Sequence, residues 1–201
     1  MSLLTIAETV ALNCGMQQVP TSVSGSSERR WQEVKDFSEK AAMELVRRVD
    51  WGELTREETL TGDGTNKTFD LPPDDYDHLT NGVSVVSGGA VLRGLSQAEW
   101  RTLTPVEGDP RYFILQGSKI TLWPYLATSE TATVSYQSKN WCSAGGSEWA
   151  ADEDTSLIDE DVLAMATIVR WRRQKGMSYD DFEAEYEAML SDRATFDDRG
   201  R

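Results

Sequence analysis

Leu3, Ile6, Ala7, Val10 and Ala11 recur at spacings of three and four, which predicts a helix from about Ser2 to Asn13, with Gly15 as its stop. Gln17 to Ser27 has the Ser, Thr, Gln and Gly content of a loop. Ser26 or Ser27 can then cap a long amphipathic helix, Glu28 to about Asp50, whose inner face is Trp31, Val34, Ala41, Leu45 and Val49. Its other face alternates sign through Glu33, Lys35, Asp36, Glu39, Lys40, Glu44, Arg47 and Arg48, the pattern of a solvated surface.

After Trp51 and Gly52 the period becomes two: Phe69 and Leu71, Val83 and Val85, Ile120 and Leu122, then Ala132, Val134 and Tyr136. Gly62-Asp63-Gly64, Asn81-Gly82, Ser87-Gly88-Gly89 and Gln116-Gly117-Ser118 supply hairpin turns between these runs. An antiparallel sandwich or barrel-like unit follows from short strands punctuated in this way. Helical pattern returns with Ser156 and Asp159 as a capping box and Ile158, Val162, Met165, Ile168, Val169 and Trp171 as core positions. Val162 to Val169 is apolar on nearly every side, so this helix is expected to be sandwiched between others. Gly176 ends it, and Ser178 with Asp181 opens a last helix carrying Tyr179, Phe182, Tyr186, Met189 and Leu190.

The expected fold class is therefore α+β, a helical domain interrupted by an inserted antiparallel β unit. Residues 1–54 and 143–190 form the two parts of the helical domain, 55–142 the insert, and 191–201 a charged C-terminal arm without a periodic apolar face. Loop closure across such an insert grows only slowly with its length, so the two helical parts can still find each other.

With 20 Lys and Arg against 34 Asp and Glu, the formal charge of −14 excludes a generic basic nucleic-acid binder. The first 28 residues lack Lys and Arg, so no positive signal n-region is present, and no apolar run approaches the ~18 residues of a membrane span. Cys14 and Cys142 have neither disulfide-framework nor zinc-site spacing and read as reduced thiols.

Candidate chemistry is sparse. The sole histidine, His78, follows Asp74, Asp75 and Asp77 in a Pro-flanked turn, with no nucleophile-elbow motif to give it a serine partner. Asp152, Asp154 and Ser156 match the first ligands of a calcium loop, but Leu157 replaces the turn glycine and Leu163 the closing glutamate. The cluster reads instead as an acidic helix entry. No phosphate-cradling glycine motif is present. No catalytic residue, metal ligand or cofactor is therefore expected.

Arg170, Arg172, Arg173 and Lys175 form the one basic cluster, suited to the negative end of a helix. They can also meet an acidic face, such as Asp180, Asp181 and Glu183, on a neighbouring copy, as heterologous ring contacts would require.

The series Phe69-Asp70-Leu71-Pro72-Pro73-Asp74-Asp75-Tyr76, then Phe113 to Gly117, Ile120 to Pro124 and Tyr136 to Trp141, resembles the β segment of tailed-phage head-to-tail adaptor proteins. Arg170-Trp171-Arg172-Arg173-Gln174-Lys175-Gly176, with Tyr179 and Tyr186, is similar to that family's C-terminal helical stretch. The resemblance implies a non-enzymatic virion protein of the neck, assembled in the host cytoplasm. It implies a twelvefold homo-oligomeric ring joining the portal protein to a tail terminator, stopper or nozzle protein. Genomic DNA would pass through its channel without sequence-specific binding, and no membrane is involved. By the same resemblance Leu190, Arg193, Phe196, Asp197, Asp198 and Arg199 belong to a portal-binding arm. Acidic walls suit a conduit that must not hold DNA.

Two other readings stay open from residues alone. A glycan-binding or tail-associated β module would stack sugars on exposed Trp100, Trp141 or Trp149, and a small hydrolase would use paired carboxylates.

Overall fold

The computed structural model describes residues 2–199, with side chains through Ala194. The chain divides into two compact units, Met1–Leu54 with Lys139–Arg201, and Thr55–Ser138. Along the sequence, α1 (Leu3–Asn13) and α2 (Arg29–Arg48) precede β1 (Thr55–Thr61), β2 (Thr68–Asp70), β3 (Tyr76–Leu79), β4 (Val85–Ser87), β5 (Ala90–Val91) and β6 (Arg93–Gly94). A single-turn α3 (Gln97–Trp100) leads to β7 (Tyr112–Gln116), β8 (Lys119–Trp123) and β9 (Thr131–Ser138), and the chain closes with α4 (Glu160–Gln174) and α5 (Asp180–Arg199). The fold class is α+β, as the periodicities indicate.

In the helical unit, α4 is packed by α1, α2 and α5. Val162, Leu163, Ala164, Ala166, Thr167, Ile168, Val169 and Trp171 are all buried, which an all-round apolar helix requires. Helix α1 starts in a reciprocal box, with Ser2 Oγ accepting from the Thr5 amide at 3.3 Å and Thr5 Oγ1 from the Ser2 amide at 3.2 Å.

Two expected caps shift. Helix α2 opens at Glu28 without a side-chain cap, and Ser26 Oγ accepts only from the Glu28 amide, outside the first turn. Helix α4 is capped by Asp159, whose Oδ1 accepts from the Asp161 and Val162 amides at 3.1 Å each, whereas Ser156 serves the Ile158 amide. Gly176, at φ +67°, ends α4 in the left-handed conformation that glycine adopts without steric cost. Helix α5 begins at Asp180, so Ser178 stands two residues before it. The charged arm from Ser191 is helical through Arg199, continuing α5.

Trp141 and Trp149, flanking the turn region that leads into α4, are buried against each other edge to face, their centroids 4.7 Å apart. Trp149 Nε1 donates to the buried Ser38 Oγ on α2 at 2.9 Å, and the Trp149 amide donates to Glu39 at 3.1 Å. Trp141 and Cys142 thus belong to the helical core although the expected β insert includes them.

The β unit contains a five-stranded sheet, β1-β9-β4-β5 with β3 also on β9, and a four-stranded sheet, β2-β8-β7-β6. Leu60, Val85, Ala132 and Val134 from the first share one core with Phe113, Ile120 and Leu122 from the second. The expected barrel-like closure is absent: both sheets end in edge strands. The expected all-antiparallel pairing fails at one place, because β6 runs parallel to β7 after the chain crosses from one sheet to the other at Leu92. His78 lies in β3 and not in a turn, half-buried, with Nδ1 2.8 Å from Asp77 Oδ2. Val83 falls outside the strands and is exposed.

Ser38→Ala is expected to cost about 1–3 kcal/mol by leaving the Trp149 indole N–H buried and unpaired. Trp149→Ala should cost about 3–5 kcal/mol through the lost packing. Urea denaturation of the two variants checks this order; equal, near-zero effects would contradict the assigned hub.

Candidate interaction surfaces

The basic cluster at the end of α4 is used within the helical unit. Arg170 pairs with Glu44 on α2, and Arg173 with Glu183 on α5. Lys175 reaches Glu33 on α2 at 2.5 Å and lies 4.6 Å from the Trp171 ring centroid. Arg172 donates to the Asn13 carbonyl at 2.9 Å and to the Ser178 carbonyl at 2.5 Å, with its guanidinium 4.3 Å from the Phe182 ring centroid. Four cations at the C-terminal end of α4 therefore tie it to α1, α2 and α5. The hydrogen bond from Lys175 holds the Glu33 carboxyl below its usual range. A further clamp, unmarked in the sequence, joins Arg48 to Glu187 through two parallel hydrogen bonds of 2.8 and 2.6 Å. That bond lowers the Glu187 carboxyl in the same way.

The remaining candidate residues are distributed unevenly. Asp180 and Asp181 are exposed in the first turn of α5, while Glu183 is taken by Arg173. Leu190 is 4% exposed and packs in the helical core. Arg193 pairs with Asp159, the cap of α4. The side chains of Phe196, Asp197, Asp198 and Arg199 lie outside the described residues.

Asp152 and Asp154 are staples and not a helix entry. Asp152 accepts from Ser22 Oγ at 2.6 Å and from the Val23 and Ser24 amides at 2.9 and 2.7 Å. Asp154 Oδ2 accepts from the Ala150 and Ala151 amides at 2.8 and 2.7 Å. Each carboxylate satisfies amides that a loop would otherwise leave unpaired. Burial alone would raise the Asp152 carboxyl, but the Ser22, Ser24 and Val23 hydrogen bonds outweigh it and hold the group below its ordinary value.

Among the described residues, no group of His, Cys, Asp and Glu is arranged to hold a metal ion. No described helix is long and apolar enough to cross a membrane. Cys14 and Cys142 are free and buried, and burial pushes both thiols up, against the pull of Arg172 at Cys14. An open groove of about 660 Å³ beside α2 is lined by charges of both signs, Asp36, Glu39, Lys40, Glu148 and Arg170 among them, with Lys40 already on Asp36 at 2.7 Å. Of the tryptophans considered for sugar stacking, Trp141 and Trp149 are buried, and Trp100 packs edge-on against Trp123.

The comparison with known families is specific. The family model described as SU10 adaptor protein matches residues 1–201. The chain belongs to this family of phage head-to-tail adaptors. None of the curated proteins matches it. As an SU10 adaptor protein it is a structural component of the virion neck that meets portal and tail proteins. The adaptor's most elaborate polar constructions, the α4 clamp and the Asp152 staple, hold its own segments together.

The depressed Asp152 carboxyl stabilises the fold above the unfolded Asp pKa of about 3.9, and that contribution is lost as pH falls through the lower folded value. Asp152→Asn should therefore cost about 1–3 kcal/mol at pH 7. The difference from wild type should narrow as pH is lowered toward 2, which melting curves across that range would register; a pH-independent gap would contradict the charged staple.

Proposed function

We propose that this adaptor forms a ring, twelvefold in the virion, that docks on the portal, continues the DNA channel and receives a tail terminator, stopper or nozzle protein. The observation that carries this reading is the family match across the whole chain, helical and β units alike. The charge balance supports it: the cations of α4 are consumed by Glu33, Glu44 and Glu183, leaving Asp180 and Asp181 exposed in a chain of net charge −14. Such a surface repels phosphate and lets DNA slide. The ring is assembled in the host cytoplasm and remains in the neck of the virion.

The portal-binding arm begins after Leu190. This residue anchors α5 in the core, so the docking function falls to the stretch from Arg193 through Phe196, Asp197, Asp198 and Arg199. Between subunits, Asp180 and Asp181 are the members of the acidic set open to a neighbour, whereas Arg170, Arg172, Arg173, Lys175 and Glu183 hold the surface that presents them. The glycan-binding alternative loses two of its three platforms to the core.

Deleting residues 195–201 spares Leu190 and Arg193, so the shortened chain should fold with an unchanged melting temperature yet no longer join the portal. Light scattering and negative-stain imaging of each chain mixed with portal rings test this. Normal attachment by the shortened chain would overturn the arm assignment, and a wild-type chain that ignores portal would overturn the ring.

A further inference from the structure

The end strands of the path β1-β9-β4-β5 in the five-stranded sheet have unpaired outer edges whose backbone groups match. In β1 the Gly62 amide bonds to the Glu130 carbonyl, which with the register to β9 turns Leu60 and Glu58 inward and leaves the amides and carbonyls of Glu57, Thr59 and Thr61 facing outward. In β5 the hairpin turn Gly88-Gly89, at φ +55° and +80°, closes on the pair Ser87–Ala90, and the Leu92 amide bonds to the Val85 carbonyl. The pair Val86–Val91 between them is therefore the non-bonded one, and Val91 turns its own amide and carbonyl outward. Thr59 and Val91 have exposed side chains, Val91 at 57%, and neither lies beneath another strand.

The geometry points to a head-to-tail joint between copies of this chain in which β5 of one copy pairs antiparallel with β1 of the next, Val91 opposite Thr59. Two features select a second copy as the occupant. First, successive strands on the path β1-β9-β4-β5 alternate in direction, so β5 laid beside the next β1 continues the sheet antiparallel without a break. Second, Thr59, Thr133, Val86 and Val91 are successive Cα partners across the sheet and share its exposed face. The next Thr59 extends that uncharged row, giving cross-strand contacts of β-branched side chains. Arg56, Glu57 and Glu58 otherwise guard β1 against indiscriminate pairing, as charged edges do.

A contact between opposite edges of one sheet is heterologous and generates a closed ring when the rotation per copy allows. The joint rests on the ring reading above and adds to it a defined register in the β unit.

The test uses the full chain assembled on portal rings. In the hydrogen-bonded pair the two Cα atoms would be about 5.5 Å apart, within disulfide range. The double variant Thr59→Cys, Val91→Cys should give, on mild oxidation of the assembled rings, a ladder of covalent multimers reversed by reductant; each single variant should give none. Thr59→Pro removes only an outward amide, and proline is tolerated at such an edge position, so that variant should keep its melting transition and lose ring formation. Wild-type rings on portal with no ladder from the double variant overturn the joint while leaving the adaptor reading intact. Rings of normal size from folded Thr59→Pro overturn it equally. Absence of wild-type rings on portal removes the ring reading and the joint together.

Discussion

Burial of α4 on every side is the constraint from which the helical unit follows. A helix with no solvated face has to be surrounded before it is stable, and its neighbours come from both ends of the chain, α1 and α2 before the β unit and α5 after it. The apolar contacts supply the driving force. The polar ends then set the arrangement: at its N-terminus Asp159 caps α4 and pairs with Arg193 from α5, and at its C-terminus four cations reach α1, α2 and α5. These pairs are partly exposed, so each contributes little to stability, and the apolar burial of α4 carries most of the packing.

The helices were legible because their apolar positions keep a period near 3.6 and their glycine stops are local signals, as at Gly176. Cap identities were less so. A serine near a helix start is a candidate cap, but the tertiary position of the chain decided in favour of Asp159 over Ser156 and left α2 without a side-chain cap. Strand β1 was invisible for a different reason: as an edge strand with one face outward, it buries only Leu60 of its seven residues, and no alternation is left to read. The crossing at Leu92 and the parallel β6–β7 pair depend on long-range pairing that no local pattern encodes.

The candidate surfaces were legible in composition and illegible in use. The run Arg170, Arg172, Arg173 and Lys175 stands out in the sequence, yet its partners Glu33, Glu44 and Glu183 lie among many similar acidic residues on other helices. Arg48 with Glu187 gives no local signal at all. Asp152 carries the spacing of a metal loop and spends both oxygens on Ser22, Val23 and Ser24, far away in sequence. Leu190, which the family resemblance places at the start of the docking arm, is buried, and its burial follows from the same face as Tyr186, four residues earlier. In each case the residue type was informative and the partner was set by the fold.

The β unit begins and ends side by side. Thr55 at the start of β1 is the Cα partner of Gln137 near the end of β9, and Gln137 Nε2 donates to Thr55 Oγ1 at 2.9 Å. Paired strand residues are roughly 5 Å apart, a gap that one tight turn of the chain can span. The unit is thus a cassette: evolution can lengthen it, exchange it for another, or replace it with a simple turn in a single genetic event, while the helices on either side keep their connection.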